Sequence, residues 1–278
     1  MELKSKIDFA VVIAAENCNP NGDPTMGNRP RQDLDGYGEM SCFCIKRKIR
    51  NRLQEYGRKI FVQTTERSDD GFTTLKERAD SFQELAKEIN KKKNADPEIC
   101  KAIACKEWFD VRAFGQVFAF KGTSVSIGIR GPVSIGHAKT LEPIIIRSNL
   151  LTKSVNTNDP ADGIGRDSQT MGAYHVIHRG VYVAYGSIFP DLAKKTGFSV
   201  EDSLVLKKAL IGLLENDASV SRPSGSMTNF LFWWEHDPRA HFVPSSQVFR
   251  SLNIVPSSFW PYFSVSPAEV PGVTLERY

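Results

Sequence analysis

Apolar residues fill nearly every position of Ile7-Asp-Phe-Ala-Val-Val-Ile-Ala14, so this run predicts a strand buried on both faces. The polar text from Asn17 to Asn28 that follows it predicts a loop. From Gly38 to Tyr56 the period changes. Cys42, Ile45, Ile49, Leu53 and Tyr56 recur at three- and four-residue steps, which is one stripe of a helix. At about 100° per residue, Lys46, Arg47 and Arg50 fan out beside that stripe, leaving a flank free for a polyanion while the stripe packs on a sheet.

Residues 68 to 107 are rich in Lys, Glu and Asp, with Phe72, Leu75, Ala79, Phe82, Leu85 and Ile89 at helical spacing, and predict an inserted helical subdomain. Asp96-Pro97 supplies a cap and a first-turn proline for a second short helix running to about Cys105. Strands are expected at Val111 to Phe120 and Thr123 to Arg130, joined by a tight hairpin at Lys121-Gly122. The polar, Gly-rich text within residues 147 to 173 is too long for an ordinary connection and marks a functional or disordered loop. Strand composition returns at Tyr174 to Ile188. Ser199-Val-Glu-Asp202 forms a capping box for a helix that turns Leu206, Ala209, Leu210, Leu213 and Leu214 inward. Met227 to Glu235 is a further strand, with Trp233 and Trp234 on alternate faces, and the Pro-rich text after Asp237 is expected to wrap the domain as extended chain. The core order is strand, helix, strand, strand, helix, strand: an α+β fold on the ferredoxin-like plan of RNA-recognition domains, interrupted by two large insertions.

With 278 residues, 41% hydrophobic and 24% charged, the chain can bury a substantial core. The apolar run near the N-terminus carries Asp8 and is too short and too polar for a signal peptide or membrane span, so the expected location is intracellular, in the cytoplasm. Cys18, Cys42, Cys44, Cys100 and Cys105 are odd in number and lie mostly in apolar stretches, as reduced core thiols do. Net charge is only +4, yet between Lys46 and Lys59 there are seven Lys or Arg and one acid, Glu55. A stripe of that kind suits phosphate better than a small acidic metabolite.

Catalytic patterns are missing: there is no P-loop, no nucleophile elbow and no His-Glu-x-x-His helix. His175, His178, His236 and His241 lack the cysteines or carboxylates of a zinc site and are read as structural; no cofactor or metal is expected. Asn19 to Pro24 is read as a structural loop that shapes the neighbouring site.

At Asn19-Pro-Asn-Gly-Asp-Pro24, Gly27-Asn-Arg-Pro-Arg31, Lys46-Arg-Lys-Ile-Arg50, Asp110-Val-Arg-Ala-Phe-Gly115, Gly131-Pro-Val-Ser-Ile135 and Thr170-Met-Gly172, the chain resembles a CRISPR-associated family. It is similar to the RAMP-superfamily backbone subunits of type I Cascade complexes, the Csd or Csh subfamily, and within it to type I-C. The resemblance implies a non-catalytic protein that polymerises as a homo-oligomeric filament along the crRNA and displays it for pairing with target DNA. Cas5-like and large Cas8-like subunits would be its partners. It also implies a hand: palm in 1–67, 108–139 and 174–236, helical fingers in 68–107, a thumb insertion in 140–173 and a wrapping tail in 237–278.

Carried over by residue, the resemblance assigns Ser41, Lys46, Arg47 and Arg50 to the RNA phosphates, with Arg29 and Arg31 next in line. Met171, beside Gly172, becomes an apolar wedge between stacked bases. Ser224 and Gly225 line the channel, where small residues let backbone amides approach phosphate. One enzymatic alternative stays open. Relatives that cut target RNA use a loop aspartate, and this loop carries Asp23, Asp33 and Asp35; Asp33 is expected to orient Arg31.

Overall fold

The computed structural model of the chain describes residues 1–91, 95–119, 126–152 and 171–278. Its first half contains β1 (Ile7–Cys18), β2 (Gly22–Asp23), β3 (Arg29–Pro30), β4 (Tyr37–Met40) and α1 (Cys42–Glu55). Then come α2 (Leu75–Ser81), α3 (Gln83–Ile89), α4 (Pro97–Glu107) and α5 (Phe109–Phe114), followed by β5 (Gly115–Phe118), β6 (Ile127–Arg130), β7 (Val133–Ile135) and β8 (Ala138–Pro143). The second half holds β9 (Ile146–Thr152), β10 (Met171–Ile188), α6 (Pro190–Thr196), α7 (Val200–Ile211) and β11 (Met227–His236). The C-terminal segment adds α8 (Ser245–Arg250), β12 (Leu252–Pro256), β13 (Phe263–Pro267) and β14 (Val273–Arg277).

β1 is apolar on both faces because it runs through the middle of the main sheet, whose order is β14-β11-β1-β10-β8-β4. Both neighbours are antiparallel: Phe9 stands opposite Gly186 of β10 and Trp233 of β11. Alternation then sorts the side chains. Phe9, Val11, Ile13 and Ala15 join Ile45, Ile49 and Leu53 of α1 and Leu206, Ala209 and Leu210 of α7 in one core. Ala10 and Val12 face the other way, under Val248, Leu252 and Phe263 of the C-terminal segment. The two tryptophans divide as alternation requires, Trp233 into the first core and Trp234 into the second.

That second core corrects the expectation for the tail. Residues beyond Asp237 are not merely extended chain: they form a helix, the β12–β13 hairpin and a strand, β14, that adds to the edge of β11. Their apolar residues cover the second face of the sheet, where Phe232 and Trp234 would otherwise be open to solvent.

A separate cluster of Phe61, Ala79, Leu85, Cys100, Ala104, Trp108, Phe118 and Ile129 is built from α2 to α5 and the β5–β6 hairpin. Its rings pack closely, Phe61 lying 4.7 Å from Trp108 and 5.0 Å from Phe118. Two expectations change here. Val111 to Phe114 is helical, because Val111 and Ala113 are buried on the turn that continues from Trp108 and the helix ends only at Gly115, whose φ is +80°. The β5–β6 hairpin, Gly115 opposite Arg130 and Phe118 opposite Ile127, pairs apart from the main sheet. Its expected turn at Lys121-Gly122 lies outside the described residues.

Start signals elsewhere are met in full. Asp96 caps α4 ahead of Pro97, and Ser199 with Asp202 forms the reciprocal capping box of α7. α1 opens later than its apolar stripe suggests, at Ser41, because Tyr37 to Met40 pairs with β8 as a strand. At its far end β10 leaves the sheet and continues as a ribbon with β9, from Ile177 opposite Ile146 out to Met171 opposite Thr152. Among the described residues no helix is long and apolar enough to cross a membrane.

Candidate nucleic-acid interface

The site is assembled around the start of α1. Ser41 Oγ accepts the Cys44 N–H at 3.2 Å, closing the first turn, and its O–H is left able to donate. Its backbone N–H donates to Asn21 Oδ1 at 2.9 Å, so the Asn-rich loop fixes the position of the helix start. Asn19 is buried and locks the same loop from within: its side chain donates to Asn28 O at 2.7 Å and its backbone N–H to Ser221 O at 2.7 Å. Three segments distant in sequence, 19–31, 41–50 and 219–226, are thereby held side by side.

The expected field of seven cations is largely neutralised by acids from elsewhere in the chain. Lys48, 1% exposed, is paired with Asp217. Arg50 Nε donates to Asp110 Oδ2 at 2.8 Å. Arg52 pairs with Glu55 and with Glu215, Arg58 with Glu201 at 3.2 Å and Lys59 with Glu107 at 2.8 Å. Among the described residues only Lys46 and Arg47 of this run have no acidic partner. Arg47 is exposed. Lys46 is half-buried with its ammonium 5.2 Å from the centre of the Phe114 ring, and burial lowers its pKa.

Arg31 reaches Asp23 Oδ2 at 3.3 Å, and its buried Nε has no partner among the described residues. Arg29 Nη1 donates to Ser148 Oγ on β9 at 3.3 Å, leaning on the base of the β9–β10 ribbon. Ser224 and Gly225 are exposed, the glycine at φ +82°, on a loop whose root is Asp217 held between Lys48 and Arg222. This loop borders a cleft of ≈ 240 Å³ shared with Leu214, Asp217 and Met227. Met171 and Gly172 stand apart from this group, six residues up β10 from Ile177, which is the partner of Cys18. At about 3.4 Å per residue that is roughly 20 Å along the ribbon. The Met171 side chain and Thr170 lie outside what is described.

Of the three loop aspartates, Asp23 and Asp33 are already engaged. Asp23 Oδ1 accepts from Thr25 N at 3.0 Å and Thr25 Oγ1 at 2.7 Å, and those bonds lower its pKa. Asp33 pairs with Lys139 at 2.6 Å and accepts the N–H groups of Asp35 and Tyr37, the lysine bond being the main cause of its lowered pKa. The expectation that Asp33 orients Arg31 is therefore corrected: Asp23 touches Arg31, and Asp33 holds Lys139. No three His, Cys, Asp or Glu gather to hold a metal ion among the described residues. Three of the histidines have protein partners: His175 bonds Ser148, His178 accepts from Arg147, and His236 donates to the buried Asp8.

Several residues that shape this surface escaped the sequence. Asp110 holds Arg50 and accepts the N–H groups of Phe61 and Val62, while Phe114 lies beneath Lys46 and Arg50. Both fall within the Asp110 to Gly115 motif, which was the available signal. Asp217 gave none.

Two solved structures named as a CRISPR RNA-guided surveillance complex are similar in backbone path. One, pre-nicking, has TM-score 0.48 and 16% identity, covering 88% of this chain and 79% of that chain. The other has TM-score 0.47 and 14% identity, covering 92% and 77%. The CRISPR-associated protein Cas7 of Haloferax volcanii is 40% identical over 67 residues, a stretch that spans 24% of this chain and 20% of that protein. The family model described as CRISPR-associated protein Cas7 matches residues 5–266, nearly the whole length, and the chain belongs to that family.

Proposed function

We propose that this protein is a non-catalytic crRNA-binding backbone subunit of a type I-C Cascade complex, one that polymerises along the guide and displays it for pairing with target DNA. Its palm is the RRM-like part: β11, β1, β10 and then β7 and β8 lie in the order of a ferredoxin-like sheet, with α1 and α7 packed on one face. The fingers of this reading reach beyond the expected 68–107, since α5 and the β5–β6 hairpin, expected in the palm, pack with α2 to α4 in one cluster, and the β9–β10 ribbon is the base of the thumb. Homo-oligomer contacts, Cas5-like and Cas8-like subunits and a cytoplasmic location belong to this reading.

The observation that carries it is the pair Lys46 and Arg47. In a run where the other cations are matched by carboxylates, these two stay uncompensated among the described residues, one turn beyond the Ser41 hydroxyl, in a chain of the Cas7 family. Such a pair selects an external anion, and a phosphodiester chain supplies anions at intervals. Because the sheet face is covered by the C-terminal segment, RNA would run along the helix and its flanking loops rather than across the strands.

The test is co-purification. The unaltered protein should carry RNA of discrete length in a large assembly, and Lys46→Glu with Arg47→Glu should remain folded without it. Retention of the RNA by that double variant at physiological salt sinks the reading. Arg50→Glu is the wrong probe, since it places a carboxylate against the buried Asp110. An endoribonuclease reading through Asp23 or Asp33, two of the three loop aspartates, would need either to release the partners that now hold it.

A further inference from the structure

Phe43 lies in the first turn of α1, three and four residues before Lys46 and Arg47, so the three side chains leave the same side of the helix. It is 74% exposed, whereas Ile45, Ile49 and Leu53, on the neighbouring stripe that packs into the core, are fully buried. A single exposed apolar residue is ordinary on a protein surface. What sets this ring apart is its company: its neighbours on that side are the two cations of the run that no carboxylate neutralises among the described residues. The other nearby ring, Phe114, is already occupied by Lys46 and Arg50 at 5.2 and 5.3 Å.

A flat apolar face beside uncompensated positive charge is complementary to a ligand carrying flat apolar groups on an anionic backbone. Single-stranded nucleic acid has that chemistry: phosphates for the cations and an unpaired base for the ring. A purely apolar partner would leave Lys46 and Arg47 desolvated without a counter-charge. We propose that Phe43 is a stacking platform for one unpaired base of single-stranded RNA, whose flanking phosphates are held by Arg47 and Lys46. This deepens the crRNA-binding reading of α1 and rests on it. The energetic division is distinct for each residue. The cations release counterions and set the salt dependence, while the ring adds affinity that salt does not touch.

The probe is a short single-stranded RNA carrying 2-aminopurine, titrated with the full chain at several salt concentrations. Phe43 is exposed, so its variants should fold as the unaltered protein does. Phe43→Leu is expected to bind about tenfold more weakly with the salt slope unchanged and the 2-aminopurine quench lost, and Phe43→Trp to restore both. Arg47→Gln should instead lower the salt slope by roughly 0.7. If Phe43→Leu binds and quenches like the unaltered protein while Arg47→Gln loses slope, stacking is overturned and the RNA reading stands. If the unaltered protein binds no RNA, both fall together. A Phe43→Leu variant that changes only self-association in the absence of RNA also overturns the proposal, assigning the ring to a contact between protein chains.

Discussion

Arg50 and Asp110 join α1 to the start of α5 through a bond of 2.8 Å between Nε and Oδ2, and the aspartate is 1% exposed. The same carboxylate accepts the N–H groups of Phe61 at 2.7 Å and Val62 at 3.1 Å, so it satisfies three donors at the junction between the main sheet domain and the α2–α5 subdomain. Removing a partner from a buried pair leaves a charge in the protein interior. Asp110→Ala should lower stability by about 3–5 kcal/mol, since Arg50 and two amides lose their acceptor at once. Urea unfolding checks this, and a loss under 1 kcal/mol would show that water replaces the carboxylate.

Asp217 sits between Lys48 and Arg222, and its partners differ in what they can tolerate. Lys48 is buried on α1, whereas Arg222 is only half-buried. Lys48→Met keeps the packing and leaves Asp217 with Arg222, a change expected to cost less than about 1.5 kcal/mol. Asp217→Ala strands the buried ammonium and should cost about 3–5 kcal/mol. It should also loosen the loop bearing Ser224 and Gly225, seen as faster amide exchange over residues 219 to 226. Equal costs for the two variants would mean the pair is not what fixes the loop.

The elements that could be read from sequence are those whose cause is local. β1 declares itself by apolar residues on both faces, α1 by its three- and four-residue spacing, and α4 and α7 by the caps at Asp96 and Ser199. Charge is different. Counting Lys46 to Lys59 saw one acid, yet Asp110, Glu215 and Asp217 lie far along the chain and reach the helix only after folding. α5 was hidden because Val111, Ala113 and the following hairpin alternate like a strand, and only the positive φ at Gly115 marks where the helix stops. Phe43 could have been noticed as an apolar residue off the buried stripe.

Gly115 and Gly131 meet across the root of the β5–β6 hairpin. A Cβ on Gly131 would stand 2.3 Å from Ala113 O and 2.5 Å from Gly115 N, and one on Gly115 would stand 2.2 Å from Ile129 O at a φ of +80°. None of these atoms is the end of a flexible side chain, so the backbones must separate. Gly115→Ala should therefore cost more than about 2 kcal/mol, the left-handed penalty being joined by the overlap. Gly197→Ala, also at positive φ but with open space around it, is the control and should cost only about 1–2 kcal/mol. Thermal unfolding of the two variants compares them directly, and equal shifts would refute the close approach.

Asp8 is fully buried on β1 and is bonded by His236 Nε2 at 2.8 Å and Ser187 Oγ at 2.5 Å, with Lys6 Nζ at 3.1 Å. Burial raises its pKa, but the bonds from His236, Ser187 and Ser245 together with the Lys6 charge more than offset that, and the net shift is downward from 3.8. A carboxyl whose folded pKa lies below its unfolded value contributes stability that is complete above the unfolded value and disappears as pH falls through the folded one. The stability that Asp8 gives should thus persist through mildly acidic pH and be lost only below about 3.8, where the carboxylate takes up a proton. His236→Phe removes the first of the offsetting bonds, so the acid-unfolding midpoint should move up toward the ordinary carboxylate range. Circular dichroism across an acid titration reads that midpoint in both proteins; a midpoint unmoved in His236→Phe would mean that Lys6 and the serines suffice to hold the carboxylate charged.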